Sequence, residues 1–147
     1  MKLLLDTNVM IDQIAGREPF CHDVEQLCIA SYFGDVELWV PVQSFLDGLY
    51  ALRKHAPERQ LRDTFLASLE FFRPCGSRAE DLRPALESDW SDVEDYLIGK
   101  AACNIAADYL VTRDASGFNR SRIPTITAAQ AVEMLAQEGF EYGDVLM

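Results

Sequence analysis

Hydrophobic positions along the chain fall into two alternating patterns. Short apolar runs are typical of strands buried on both faces of a sheet, and apolar residues three and four positions apart predict helices. The predicted strands are Lys2–Leu5, Val36–Val40, Phe71–Cys75, Tyr109–Thr112 and Pro124–Ile126. The predicted helices are Asn8–Ile14, Phe20–Phe33, Pro41–Lys54, Glu58–Glu70, Leu82–Glu87, Asp92–Ala107 and Ala128–Glu138. Strands that alternate with helices predict an α/β fold, with a mainly parallel central sheet flanked by helices on both faces.

Length and composition predict one domain over residues 1–147. The chain has 147 residues, of which 49% are hydrophobic, and this is enough to build a core without disulfides. Its four cysteines form no CxxC pair, so we expect all four to be reduced. The sequence opens without a secretory signal pattern, and no apolar run approaches the roughly 20 residues that span a bilayer. We therefore expect a cytoplasmic protein without a membrane segment.

The charge balance argues against a nucleic-acid partner. The chain carries 13 basic and 24 acidic residues, a formal net charge of −11. Nucleic-acid-binding domains usually present a basic patch instead. A carboxylate cluster that binds a divalent metal would contribute to the acidic excess without accounting for all of it.

Four acidic residues are predicted to meet at one edge of the sheet. Asp6 directly follows the first strand, and Asp114 follows the strand Tyr109–Thr112. Asp47 and Asp95 lie on predicted helices near the same edge. Because ligands of parallel α/β sheets bind beyond the carboxyl ends of the strands, this edge is the predicted functional site.

Each of these acids also has a purely structural interpretation. Asp6 would cap the helix that begins near Asn8, and Asp114 would be a turn residue. Asp47 lies between apolar residues where no cap is needed, although a solvent-facing position stays open for it.

The stretch Ser91–Asp95 has the form of a capping box. Ser91 would cap the helix and Glu94 would reach back to it, while Asp92 would favour the positive helix end. These structural roles leave Asp95 as the acid in this stretch that needs a functional explanation.

Clustered carboxylates fit the chemistry of a hard cation. Mg²⁺ prefers oxygen ligands, and one or two carboxylates together with a substrate phosphate suit it. A divalent metal activates water near neutral pH and stabilises a leaving oxygen. We expect in-line hydrolysis of a phosphodiester that leaves 5′-phosphate and 3′-hydroxyl ends, and the acids alone do not choose RNA over DNA.

Four segments of the chain, taken in order, resemble the motifs of the PIN domain family. They are Leu3–Val9, Val42–Asp47, Glu94–Ile98 with Ala101 and Ala102, and Asp108–Asp114. Each motif is weak by itself, but their order and spacing agree along nearly the whole chain. The second acid is often Glu in the family, whereas Asp47 is one methylene shorter.

The resemblance implies a three-layer PIN-like fold and an Mg²⁺- or Mn²⁺-dependent endoribonuclease acting on single-stranded or structured RNA. Many relatives are VapC-type toxins of toxin–antitoxin modules, so the implied partners are RNA, an antitoxin protein and a second copy of the chain in a homodimer. The implied catalytic and metal-binding residues are Asp6, Asp47, Asp95 and Asp114, with Asn8 and Thr112 as supporting polar residues.

Basic residues are concentrated after the second motif. Arg53, Lys54 and Arg59 lie close together, and Lys54 would share a helix face with Asp47 if that helix persists so far. A phosphate backbone leaving the metal site would meet this cluster, although a solvated helix face explains it equally well. Arg113, beside the fourth acid, is a further RNA-binding candidate.

Three questions stay open at the level of sequence. The alternative function is a PIN-like binding module without nuclease activity, which the net charge keeps open. Trp39 and Trp90 would stack on bases or, as we expect, be buried in the core or an interface. The stretch Gly139–Met147, which contains Tyr142 and Leu146, would dock on a partner or fold back onto the domain.

Overall fold

The computed structural model of this protein describes residues 1–143 and 145. Its strands are β1 (Lys2–Leu5), β2 (Glu37–Pro41), β3 (Phe72–Cys75), β4 (Tyr109–Val111) and β5 (Thr125–Ile126). Its helices are α1 (Thr7–Ala15), α2 (Cys21–Phe33), α3 (Val42–Leu52), α4 (Glu58–Ser68), α5 (Leu82–Glu87), α6 (Val93–Asn104) and α7 (Ala128–Gln137). Two short 3₁₀ helices that the sequence pattern did not predict lie at Ala79–Asp81 and Ala115–Phe118.

The strands form one parallel sheet with β1 at its centre. The strand order is β3-β2-β1-β4-β5, and all four pairings are parallel. Leu4 of β1 pairs with Trp39 on one side and with Leu110 on the other. The parallel order places the carboxyl ends of all the strands at one edge, where the predicted acids follow them.

Side chains of β1 point alternately into two cores, one on each face of the sheet. Leu3 and Leu5 pack into the larger core, which contains buried residues of α1, α2, α3, α4 and α7. Leu4 packs into a smaller core with Ile98 and Ala102 of α6. Because successive strand residues face opposite sides, a fully apolar strand marks a sheet covered on both faces. The predicted three-layer α/β fold is therefore confirmed.

Most predicted boundaries lie within a few residues of those in the structure. Gly16 and Gly34 end α1 and α2 in the left-handed conformation, with φ of 62° and 85°, as expected for C-terminal glycines. The third predicted helix is shorter than expected, because α3 ends at Leu52 and does not reach Lys54.

The described part of the C-terminal stretch folds back onto the domain. The Tyr142 hydroxyl donates a hydrogen bond to Asp35 at 2.6 Å, and its ring stacks on Phe33 with 6.3 Å between centroids. Leu146 lies outside the described residues. None of the helices that the structure describes has the length and apolar character needed to cross a bilayer. The four cysteines are free, as predicted.

Candidate metal centre

The carboxyl ends of β1 and β4 bring two of the predicted acids together through a threonine. Asp6 is 8% exposed, and its Oδ2 accepts a hydrogen bond from the Thr112 hydroxyl at 2.9 Å. Thr112 Oγ1 in turn accepts a hydrogen bond from the Asp114 backbone N–H at 3.0 Å. Thr112 therefore links both acids, and its supporting role in a metal site stays a prediction.

Both acids also cap helices, so the structural interpretations of Asp6 and Asp114 hold as well. Asp6 Oδ1 accepts a hydrogen bond from the Thr7 N–H at 2.7 Å, at the start of α1. Asp114 Oδ1 accepts hydrogen bonds from the Ser116 hydroxyl at 2.6 Å and from the Gly117 N–H at 3.3 Å. In Asp114 these cap contacts use one oxygen and leave Oδ2 for other partners.

Gly117 marks the point where Asp95 and Asp114 converge. A Cβ added to Gly117 would lie 2.7 Å from Asp95 Oδ2 and 3.2 Å from Asp114 Oδ2. The two carboxylate oxygens thus face one small space, which exists because residue 117 has no side chain.

The pKa values of the acids reflect this crowding. Burial, together with the negative charges of Asp92 and Asp6, raises the pKa of Asp95 to about 6. Burial also raises the pKa of Asp6, although the hydrogen bonds from Thr112 and Thr7 oppose this shift. In contrast, the hydrogen bonds that Asp114 accepts from the Ser116 hydroxyl and the Gly117 N–H hold the pKa of Asp114 below its usual value.

The capping box predicted at Ser91 is wrong. Because Glu94 does not form this cap, its carboxylate is available to the site. The N-cap of α6 is Asp92, whose Oδ1 accepts hydrogen bonds from the N–H groups of Glu94 at 2.7 Å and Asp95 at 3.2 Å. The Glu94 side chain is consequently free of capping. Its Oε1 instead lies 3.4 Å from the Thr7 hydroxyl, which donates to it.

Asp47 approaches the site from α3, next to Glu94. Desolvation and the charge of Asp47 are the leading causes that raise the pKa of Glu94. The Asp47 carboxylate also accepts a hydrogen bond from Gln43 at 2.9 Å. One turn earlier, the buried Ser44 hydroxyl lies 2.7 Å from the Thr7 hydroxyl, so the two share a hydrogen bond that joins α3 to α1.

Several residues of this edge were missed by sequence reasoning: Thr7, Ser44, Glu94 and Gly117. Glu94 was assigned to a cap that it does not form. Ser44 lies three residues before Asp47, a spacing that places both on one side of a helix, and this signal was available.

Among the described residues, no hydrogen bond or ion pair joins the other predicted candidates to the four acids. Asn8 is exposed in the first turn of α1 and makes no side-chain hydrogen bond among the described residues. Arg53 stacks on Tyr50, with 3.7 Å from guanidinium to ring centroid. Arg59 pairs with Asp63 at 2.6 Å, and the exposed Lys54 follows the end of α3.

Arg113 supports the fold at this edge. Its Nε lies 2.8 Å from Oδ2 of Asp12, and its Nη2 donates to Oδ1 at 3.1 Å. The Nε contact is not aligned as a hydrogen bond, so Asp12 Oδ2, which is buried, is held by charge alone. The guanidinium also lies 4.1 Å from the ring centroid of Phe20. Because Arg113 lies between Thr112 and Asp114 in sequence, these contacts tie the acidic edge of the sheet to α1.

The oxygen ligands of this edge are of the kind that a divalent cation binds. The acids come together two at a time, Asp95 with Asp114 and Asp47 with Glu94. The oxygens of Asp6, Asp47, Asp95 and Asp114 are the ligands that Mg²⁺ and Mn²⁺ prefer. Within residues 1–143 and 145, no three His, Cys, Asp or Glu side chains are arranged to hold one metal ion. Asp95 Oδ2 and Asp114 Oδ2 approach the same side of Gly117, and this pair of oxygens is the feature that fits a cation.

Comparison with known proteins identifies the family. Residues 2–116 match the sequence model of the PIN domain, and the chain belongs to this family. No curated protein matches the chain.

Solved structures share this fold. VapBC2 from Rickettsia felis, bound to a promoter DNA fragment, superposes with a TM-score of 0.61 at 19% identity, covering 86% of this chain and 98% of that chain. PAE2754 from Pyrobaculum aerophilum superposes with a TM-score of 0.67 at 12% identity, covering 93% of this chain and 90% of that chain. FitAB bound to an IR36 DNA fragment superposes with a TM-score of 0.60 at 15% identity, covering 86% of this chain and 94% of that chain. The chain is thus similar in fold to chains of the VapBC2 and FitAB structures and to PAE2754.

Proposed function

We propose that this protein is an Mg²⁺- or Mn²⁺-dependent endoribonuclease and the toxin of a toxin–antitoxin module. The observation that carries the proposal is the convergence of Asp95 and Asp114 on the space above Gly117. The bond from Thr112 to Asp6 brings a third acid to the same edge. Membership of the PIN family supports nuclease chemistry at this edge.

The chain's own residues would divide the work at the site. Asp6, Asp47, Asp95 and Asp114 would hold the cation, which when bound neutralises phosphate charge and makes water a better nucleophile. Thr112 fixes the orientation of Asp6, and we retain Asn8 as a supporting residue on the exposed start of α1. Glu94 adds a carboxylate close to Asp47 and Thr7, and it would serve as an acceptor for a proton from the attacking water.

The partners belong to the proposal as well. The neighbours VapBC2 and FitAB are complexes bound to DNA, and they support an antitoxin partner for this chain. We further propose a homodimer, one PIN-like domain over residues 1–147, and action in the cytoplasm where RNA is the substrate.

A second function is a PIN-like binding module without nuclease activity. The absence of a three-residue metal arrangement among the described residues favours it, as does the net charge of −11.

A cleavage assay on single-stranded RNA separates the two functions. We expect cleavage with Mg²⁺ or Mn²⁺ and none in EDTA, because clustered carboxylates repel a phosphodiester unless a bound cation neutralises the charge. Gly117→Ala should lose activity by roughly tenfold or more, since its Cβ would displace Asp95 and Asp114 from the shared space. Gly117 is not among the positive-φ glycines, so the added methyl acts by contact alone.

Gly76→Ala is the matched control, because a Cβ there meets nothing within 4 Å. It should leave cleavage unchanged. Equal activity of wild type, Gly117→Ala and Gly76→Ala would place the chemistry elsewhere, and no cleavage by wild type with either metal would favour the binding module.

A further inference from the structure

A groove of about 260 Å³ lies between α6 and the loop that follows the second 3₁₀ helix. Two aromatic side chains, Trp90 and Tyr96, line it and meet edge to face with 5.4 Å between centroids. Three cations, Lys100, Arg120 and Arg122, line the same groove. We call this feature the Trp90 groove. Its lining combines the two kinds of side chain that hold single-stranded nucleic acid.

The cations of the Trp90 groove are not fully neutralised by the protein. Arg120 pairs with Asp89, whereas Lys100 and Arg122 have no carboxylate within 4.0 Å among residues 1–143 and 145. On α4, by contrast, Arg59 pairs with a neighbouring acid four residues away. Lys100 does interact at longer range with the charge of Asp81. In a chain of net charge −11, two cations without a close carboxylate partner, beside two aromatic rings, still form a local site for an anion.

The groove is built from the same two segments that carry part of the proposed metal centre. Its two walls are α6, which carries Asp95 in its first turn, and the connection that begins at Asp114. On α6, Gly99 lies one turn after Asp95, roughly 6 Å along the axis. A Cβ on Gly99 would lie 3.4 Å from the Trp90 ring and 3.7 Å from the Ser121 hydroxyl. The same two segments that converge at Gly117 therefore meet again at the floor of the groove.

We propose that the Trp90 groove binds the single-stranded RNA next to the bond that is cut. One base stacks on the ring of Trp90 and meets the Tyr96 ring edge to face, and the adjacent phosphates bind Lys100 and Arg122. An unpaired base is required, because a base inside a duplex does not offer its face to an aromatic side chain. The proposal rests on the proposed function, and it moves the RNA-binding surface from Arg53, Lys54 and Arg59, around the end of α3, to α6, which packs on the opposite face of the sheet.

Two charge-matched double variants test where RNA binds. Lys100→Gln with Arg122→Gln, and Arg53→Gln with Lys54→Gln, each remove two positive charges at partly or fully exposed positions. The probe is a fluorescent 12-nucleotide single-stranded RNA, titrated in EDTA at several NaCl concentrations. Loss of two phosphate contacts should lower the slope of log K against log salt by about 1.4 for the groove variant. The Arg53 variant should keep the wild-type slope.

Trp90→Leu tests stacking separately from charge. Because Leu stays apolar but offers no ring face, binding should weaken by about tenfold with an unchanged salt slope. Circular dichroism melts on each variant check folding. In cleavage assays with Mn²⁺, the groove variants should raise KM more than they lower kcat, since the acids are intact.

Each outcome has a defined consequence. Unchanged RNA affinity in the groove variants, or a larger loss in the Arg53 variant, overturns the proposal, and cleavage by wild type would show that the nuclease function survives. A wild type that binds RNA through the groove without cleaving it overturns the nuclease function alone. Displacement of RNA by poly-glutamate of equal charge, as effectively as by unlabelled RNA, overturns a nucleic-acid site in favour of an acidic protein partner.

Discussion

At the scale of single residues, the acids of this edge carry structural and chemical roles at once. Asp114 caps a 3₁₀ helix with Oδ1 while Oδ2 faces the space above Gly117. Asp6 caps α1 and is held by Thr112. A capping role and a metal-binding role are therefore not alternatives, because a carboxylate has two oxygens with several lone pairs between them.

The pKa of Asp95 gives a residue-scale prediction for Asp95→Asn. Since the folded-state pKa is raised to about 6 from an ordinary 3.8, the folded protein binds more protons than the unfolded chain between these values. The free energy of unfolding contributed by Asp95 is therefore lost as pH rises through this window. Without divalent metal, Asp95→Asn should be at least as stable as wild type at pH 7, and its relative stability should grow from pH 4 to pH 6.

Urea unfolding at four pH values in EDTA measures this difference. Asp95→Asn also tests whether Asp95 serves mainly the local helix end. In that case the variant would be less stable than wild type by a few tenths to about 1 kcal/mol at neutral pH. Such a loss, without growth of relative stability between pH 4 and pH 6, would contradict the crowded site.

At the scale of elements, the start of α6 decides which acids reach the site. With Asp92 as N-cap, Asp95 falls in the first turn and faces Gly117, and Glu94 faces Thr7. A cap at Ser91 would have committed Glu94 to the backbone. A shift of one residue in the cap thus changes the role of one neighbouring acid.

The capping assignment predicts distinct effects for two adjacent substitutions. Asp92→Ala should cost about 1 kcal/mol of unfolding free energy, because it leaves the N–H groups of Glu94 and Asp95 without their acceptor. Ser91→Ala should change stability by less than about 0.5 kcal/mol. Asp92→Asn is the control, since Asn caps as well as Asp but removes the charge. Thermal melts of the three variants measure these differences in stability. A larger loss of stability in Ser91→Ala than in Asp92→Ala would contradict Asp92 as the N-cap and favour a capping box at Ser91.

At the scale of the whole molecule, the acidic excess is uneven. The net charge is −11, yet Lys100 and Arg122 stand together in the Trp90 groove next to the acidic edge. The surface therefore has a negative region at the carboxylates and a positive region at the groove. The net charge of the whole chain does not show this local separation. Net charge describes solubility and long-range attraction, whereas a local groove describes where a ligand binds.

The response to salt gives a whole-molecule prediction. A cation bound by the folded acids should raise the Tm of wild type in MgCl2 beyond its value in NaCl of equal ionic strength, because binding to the folded state adds stability. A ligand at about 100 times its Kd adds roughly 2.7 kcal/mol. Asp95→Asn should lose much of this difference.

Glu133→Gln is the matched control for that measurement. Glu133 is an exposed acid on α7, so its variant removes one negative charge from outside the site. Its extra stabilisation by MgCl2 should equal that of wild type. An equal reduction in both variants would indicate general screening of an acidic protein instead of a metal site.

The sequence by itself determined the elements and their order. Apolar runs such as Leu3–Leu5 predicted strands covered on both faces, and glycines such as Gly16 marked helix ends, because burial and backbone conformation act locally on the pattern. Membership of the PIN family followed from motifs placed in order, and the match over residues 2–116 confirmed it. The roles of the four acids stay predictions.

Only the tertiary structure decided which side chains share a space. Glu94, Ser44 and Gly117 join the acidic edge through contacts between segments far apart in sequence. Arg113, which stands beside an acid in sequence, instead pairs with Asp12 across the fold. Trp90 and Lys100 form a groove with Arg122 only because α6 packs beside the loop after the second 3₁₀ helix. Periodicity predicts which face of an element is buried, but the partner of each polar side chain depends on how the elements pack together.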